Sequence, residues 1–379
     1  GRFSGHYFGE EMLVDHVRSY GNMLSVQRQS DYPGMDILAC WPEGYFPQDA
    51  KYVQMAARKC GSNGFMAEVC PFDNPEEFGK APFDNLLATM GLNYISGVRT
   101  TQSYAEADFS AFGDGRFRDF LPRNQDMFGQ VRKYFDRAQM RQLNAYVGRM
   151  GLLLDGLQNQ CTTVLYFGIE DVQAKYTPKH DCEVGAQAIG CDLATLRLLR
   201  AMLDEGRDFL FADAEDLTEI ARTGRLGGEE IRRILLPGLD VIRPEALAAL
   251  RQLKKAGVCV LFAEKLPHID ALSGQQLQLA GEFEAVSVQE AVQIPDAQEP
   301  QFKTLSGPIV RQARYRTRDS KSMFFLLNPG RTESVVRLPG ADARRCTVLD
   351  PFTGTIMQER LNRDWTVPAV RGIFIIIEE

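Results

Sequence analysis

Four short apolar runs open the chain, at Phe3–Phe8, Asp36–Cys40, Phe65–Val69 and Leu92–Val98, each bounded by polar residues or glycine and each followed by a helix-like stretch. They recur evenly, from Phe3 to Ile37 to Met66 to Tyr94, close to the roughly 30 residues of a strand-helix unit. Buried parallel strands read as continuous apolar runs because both of their faces are covered. The pattern therefore predicts four βα units, the content of the second half of a (β/α) barrel. Over Met127–Leu157 the apolar positions Val131, Phe135, Leu143, Val147 and Leu152 fall at helical spacing, which predicts one long amphipathic helix closing this region.

A second alternation follows: TTVLYFGI (162–169), a helix over ATLRLLRAMLDEG, strands DFLFA and RRILLPG, a helix over PEALAALRQLKKAG, then VCVLFAEKLP and FEAVSV. Pro244 opens the last helix and Gly257 ends it, the expected asymmetry of helix termini. This reads as a doubly wound, Rossmann-like α/β domain. Beyond the polar PDAQEP stretch (295–300) only short β runs remain, PIVRQARYRT, SMFFLLNPG, ESVVRLPG, RRCTVLDPFTG and GIFIII, separated by turn residues. They predict a small antiparallel sandwich, and the expected boundaries are 1–158, 159–296 and 297–379. Four parallel strands leave two unpaired edges, an aggregation hazard. Those edges are expected to be covered by further chain, a second copy or the α/β domain.

Charge and cysteine usage narrow the function. The net charge of -7 without a basic patch argues against a nucleic-acid or anionic-membrane partner. Eight cysteines (Cys40, Cys60, Cys70, Cys161, Cys182, Cys191, Cys259, Cys346) lack the paired spacing of a zinc site and read as reduced and mostly buried, which favours a cytoplasmic address. No signal-peptide pattern is visible, and the opening GRFSGHYF suggests a start inside an element, hence a piece of a longer chain.

The segments GHYFGEE (5–11), GNML (21–24), PGMDIL (33–38), GFMAEV (64–69) and GLNYIS (91–96) resemble, in this order, large multidomain bacterial glycoside hydrolases similar to α-L-rhamnosidases. LLPGLDVIRPEAL (235–247) resembles the β-galactosidase trimerisation, or glutamine-amidotransferase-like, fold, and VLDPFTGTI (348–356) resembles the C-terminal β domain of those enzymes. The resemblance implies glycosidase activity on an oligo- or polysaccharide, no cofactor and no metal. It also implies an acid/base carboxylate on barrel strand four, upstream of the strands present here.

Barrel enzymes place their chemistry at the C-terminal strand ends. Glu68 directly follows Phe65-Met66-Ala67 there, and the resemblance puts it on strand seven, where retaining relatives carry the nucleophile; the bland alternative is a Glu paired to a neighbouring Arg. His6, Glu10 and Glu11 lie at or past the end of the first strand. Glu10 matches the family's Gly-Glu and is the second catalytic candidate, against a helix-terminus acid as the alternative. A metal at His6 and Glu10 lacks further ligands. Trp41 and Tyr45 offer flat rings for a sugar face, Asn93, Tyr94 and Arg99 are assigned to the last strand and its loop, and Arg99 is placed to bind a hydroxyl or carboxylate. Asp36 precedes its strand and reads as a loop or barrel-bottom residue.

The α/β domain shows neither a nucleophile elbow with a downstream His nor a dinucleotide fingerprint, TGRLGGEE (223–230) being a turn, so its expected role is structural or oligomerising. The rival to a hydrolase is a non-catalytic carbohydrate-binding or assembly scaffold.

Overall fold

The computed structural model describes residues 3–7, 10–37, 40, 42, 45, 47–69, 82–103, 137–177, 186–293 and 300–378. It is a mixed α/β structure with two main parallel sheets followed by antiparallel ones.

The first sheet holds β1 (Ser4–Gly5), β2 (Tyr32–Ile37), β3 (Phe65–Val69) and β4 (Val98–Ser103), in that spatial order and all parallel. The helices beside them are α1 (Leu13–Tyr20), α2 (Met23–Gln27), α3 (Pro47–Lys59), α4 (Phe83–Ile95) and α5 (Arg137–Leu154). The long helix expected over 127–157 is seen as α5, and its first ten positions lie outside the described residues.

Two of the four expected strands need correction. Leu92–Val98 is the end of α4 and a turn, and the strand starts only at Val98. The helix is buried nearly all round, with Leu86, Leu87, Met90 and Tyr94 each within a few percent of full burial, so it lacks the polar stripe that separates a helix from a buried strand. The second strand begins at Tyr32, before Asp36, with Pro33 near its start, where a missing donor is tolerated.

Met35, Ile37, Phe65, Ala67, Val69 and Val98 face α3, α4 and α5 in one core. Alternate positions point the other way. Gly34, Met66 and Thr100 form one row on that second face, and Asp36, Glu68 and Gln102 the next. A Cβ at Gly34 would lie 2.8 Å from the Gly5 carbonyl oxygen and 2.9 Å from Met66 Cγ, so this row closes only with glycine there.

The second sheet orders Ala285–Val286, Cys259–Ala263, Arg233–Leu236, Thr163–Tyr166 and Leu210–Ala212, all parallel. Helices Ala214–Thr223 and Pro244–Lys255 cover one face over Val164, Tyr166, Leu236 and Phe262. The former is bounded by a reciprocal Asp213–Asp216 capping box and a left-handed Gly224, a start and stop written in the local sequence. On the other face Leu165, Phe211, Leu235 and Leu261 pack with helices Ile169–Lys175 and Ala186–Asp204 and also with Leu13 and Val14 of α1 and Tyr52, Met55 and Ala56 of α3. The α/β unit thus covers helices of the first sheet. The strand edges are left as they were: β1 and β4 each have a single strand partner among the described residues.

The third unit is a five-stranded antiparallel sheet (Arg311–Arg316, Ser322–Asn328, Arg371–Ile377, Arg345–Asp350, Thr355–Arg360) facing a three-stranded one (Lys303–Ser306, Ser334–Arg337, Trp365–Val367). Phe324, Leu326, Val348 and Ile375 pack between the two sheets against Val336 and Trp365, while Ala313, Tyr315, Phe325, Leu327 and Phe374 on the reverse face join the α4 and α5 core. A Cβ on Gly91 of α4 would lie 2.5 Å from Leu327 Cδ1, so a side chain at this close helix-to-sheet crossing would force Leu327 to move.

Candidate active site

At the C-terminal end of the first sheet the open face carries Asp36 and Glu68, adjacent in register on β2 and β3. His6, just past β1, reaches Glu68 with Nε2 2.9 Å from Oε2, and the two side chains keep 31% and 19% of their surface exposed. Among the described residues the partner of Glu68 is therefore a histidine at the strand ends and not an Arg or Lys on an outer helix. Farther along the same face Thr100 and Gln102 are exposed, and the Tyr32 hydroxyl lies 3.2 Å from Thr100 Oγ1.

Behind this open row lies a buried acidic layer. Glu10 is 2% exposed. Its carboxylate accepts from the Tyr7 and Asp36 backbone N–H groups at 2.7 and 2.8 Å and from Gln27 Nε2 at 3.3 Å. Burial pushes its pKa well up, against the pull of those two N–H groups. Both oxygens are engaged in fastening the segment after β1 to β2, which corrects the picture of Glu10 as a carboxylate facing the mouth. Glu11 is half-buried with its pKa raised by burial, and its carbonyl accepts from Gln48 Nε2 at 3.2 Å. Asp49 of α3 is buried and also pushed well up, first by burial and then by the Glu11 and Glu10 charges.

Asp36 is one residue that sequence reasoning misplaced. It occupies the next-to-last position of β2 on the open face, and its carboxyl is pushed up to about 6 by burial, opposed by His6 and reinforced by Glu68 and Glu11. The signal was present in YPGMDI: Met35 and Ile37 alternate with Gly34 and Asp36, the signature of a strand with one apolar and one open face.

The remaining candidates disperse. Tyr45 donates its hydroxyl to Asn93 Oδ1 at 2.8 Å. It lines a cavity of about 70 Å³ with Lys51, Asp208 and Arg311 where the three units meet. Asn93 and Tyr94 lie on α4, fully and almost fully buried, and not on a strand. Arg99 sits at the N-terminal end of β4, its guanidinium donating to the Tyr94, Val98 and Leu157 carbonyls at 3.1, 2.8 and 3.0 Å, so it braces the end opposite to Glu68. Trp41 lies outside the described residues. Among the described residues no group of three or more His, Cys, Asp or Glu is arranged to hold a metal ion, and no helix is long and apolar enough to cross a membrane.

With this geometry in view, comparison with solved structures gives a consistent answer. The fold resembles part of a multidomain glycoside hydrolase. Over 94% of the chain it matches a rhamnosidase from Novosphingobium sp. PP1Y, at 15% identity and a TM-score of 0.59. Over 94% it also matches a β-galactosidase from Bacillus circulans sp. alkalophilus, at 10% identity and 0.59. Over 93% it matches α-L-fucosidase isoenzyme 2 from Paenibacillus thiaminolyticus, at 12% identity and 0.55. The chain spans 35%, 61% and 66% of those proteins respectively. At such identities the likeness is one of fold. No protein-family model and no curated protein matches the sequence.

In the α/β unit the left-handed, non-glycine position after strand Cys259–Ala263 is held by Glu264 (φ 70), whose carboxylate meets Arg197 Nη2 at 2.8 Å. A nucleophile elbow would carry cysteine or serine there. The Cys191 thiol is pushed up to about 12, first by burial, the reverse of what activates a nucleophile.

His16 of α1 ties this layer to the fold. It is fully buried, its Nε2–H donates to the Glu10 carbonyl at 2.8 Å, and burial lowers its pKa to about 4. A folded value below the unfolded ~6.5 means that, as pH falls from about 6.5 toward 4, the unfolded chain gains a proton that the folded chain refuses. Stability from this group is complete above pH 6.5 and is lost across that window. Asp36 and Asp192, each raised to about 6, act in the opposite sense, so the wild-type curve alone does not isolate His16. His16→Gln should lose less melting temperature than wild type between pH 7 and pH 4.5. Parallel curves for the two proteins would refute the assignment.

Proposed function

We propose that the chain is the C-terminal portion of a glycoside hydrolase acting on an oligo- or polysaccharide. In this reading 1–158 is the second half of a (β/α) barrel, 159–296 a trimerisation-like α/β unit with a structural or oligomerising role, and 297–379 a β-sandwich. Glu68 is the carboxylate that attacks the anomeric carbon or activates water. The observation that carries the reading is the position of Glu68: on the open face, at the strand C-terminal end, partly exposed and beside His6. Parallel sheets are ordinarily covered on both faces. The open face of β1 to β4, with Thr100 and Gln102 exposed on it, fits a barrel wall whose opposite half is further polypeptide.

Glycoside cleavage needs two carboxyl groups flanking the scissile bond, one of which protonates the departing oxygen. Asp36 leaves the sheet on the same side as Glu68, and Glu10 is buried with both oxygens engaged. The proton donor is therefore assigned to the other half of the barrel, as the resemblance to rhamnosidase-like enzymes implies.

The test is hydrolysis of a panel of aryl glycosides (rhamnoside, galactoside, fucoside) by the full-length gene product. Release of the aryl group from at least one member is expected. Sugar binding with no release from any would favour a carbohydrate-binding scaffold and overturn the enzymatic reading.

A further inference from the structure

We propose that Asp36 is a positioning residue of the Glu68 site, sharing with His6 and Glu68 a single proton-coupled unit on the barrel wall. The inference rests on the reading of Glu68 as the sugar-facing carboxylate and adds to it a partner from the neighbouring strand.

The geometry comes from register. Asp36 pairs with Glu68 across β2 and β3, so the two side chains leave the sheet on one face from backbones about 4.8 Å apart. Carboxylates that leave neighbouring strands on one face raise each other's cost of ionisation unless a cation joins them. His6 stands beside the pair, with Nε2 2.9 Å from Glu68 Oε2. The acidic groups around Asp36 are Glu68 from β3, Glu10 and Glu11 from the segment after β1, and Asp49 from α3; His6 opposes them. Among the described residues four acids stand against one histidine, which favours retention of a proton within the group, and the burial of Asp36 favours its carboxyl as the place that holds it. Glu10 holds the Asp36 backbone N–H at 2.8 Å and so fixes where this side chain leaves the strand.

A same-wall neighbour cannot stand across the sugar from Glu68 and is not the proton donor to the leaving group. Its effect is on Glu68 itself. A proton held on Asp36 leaves Glu68, beside His6, as the group available to act as nucleophile or base. Groups coupled this strongly titrate as a set, and replacing one moves the others.

The experiment follows the Asp36 side-chain carboxyl by ¹³C NMR across pH 4 to 8 in the full chain, in wild type, Glu68→Gln and His6→Gln. Removing the Glu68 charge should lower the Asp36 midpoint, and removing the His6 cation should raise it, each by about half a unit or more. Both replaced side chains are partly exposed, so either variant alone is decisive if the other does not fold. An Asp36 midpoint unmoved in every folded variant overturns the proposal. In the full-length enzyme, Asp36→Asn should then remove the ionisation near 6 from the pH profile of kcat/KM, and an unchanged profile also overturns it. If the midpoints move while no glycoside is cleaved, the coupled unit stands and the hydrolase reading falls.

Discussion

Glu68→Gln in the full-length protein is expected to lower hydrolysis of an aryl glycoside by at least about a thousandfold while leaving the melting temperature nearly unchanged. Loss of a group acting only in the transition state appears in kcat and kcat/KM together. Formation of a glycosyl-enzyme, or activation of water in its place, needs a carboxylate that an amide cannot replace. The stability side follows from the surroundings. Glu68 is partly exposed and its one ion pair among the described residues is with His6, so the amide of nearly the same shape costs little. Wild-type turnover by the variant would remove Glu68 from the mechanism. A large fall in stability would instead reveal a structural carboxylate, for which the open face gives no reason.

Lys51→Ala should cost about 3–5 kcal/mol of stability by chemical denaturation, the usual effect of removing one partner of a buried ion pair. Lys51 of α3 keeps 3% of its side-chain surface and pairs with Asp208, which keeps 15%. The ammonium also donates to the Phe209 carbonyl at 3.1 Å and lies 5.2 Å from the Phe209 ring centroid. Asp208 in turn accepts from Asn159 Nδ2 at 3.0 Å and Cys161 Sγ at 3.2 Å. One helix of the first sheet is thus pinned to the strand entrance of the second. Removing the cation leaves Asp208 partly dehydrated without a counter-charge. Lys51→Met combined with Asp208→Asn, which removes both charges, should recover much of the loss, because the penalty of the single change is the stranded carboxylate. A loss below about 1 kcal/mol for Lys51→Ala would show that water replaces the ammonium readily.

The residues proposed to do chemistry and those that hold the site in place were distinguishable in the sequence to different degrees. Glu68 was legible because it terminates an apolar run at a strand end, and strand ends are where a parallel sheet exposes functional side chains. Glu10 was equally prominent. Its burial, however, is decided by where the segment after β1 folds back, and only the Tyr7 and Asp36 N–H groups converging on its oxygens show it to be a brace. Asn93 and Arg99 were read on the wrong element and at the wrong end, since a helix buried on all sides and a buried strand share one pattern of apolar positions.

By itself the sequence determined the order and type of most elements: Pro244 and the Asp213–Asp216 box start helices locally, and Ile234–Leu236 and Cys259–Ala263 are apolar throughout because both faces of their sheet are covered. It also determined the change to antiparallel strands after the polar 295–300 stretch, where turn residues replace helix signals. The tertiary structure decided which polar residues meet. Asp36 joins Glu68 through strand register, His6 reaches the pair across β2, and Asp192 of the α/β unit accepts the Leu13 and Val14 N–H groups that open α1. These contacts join positions far apart in the chain, and their geometry depends on how strands align and sheets pack, which periodicity along one segment does not encode.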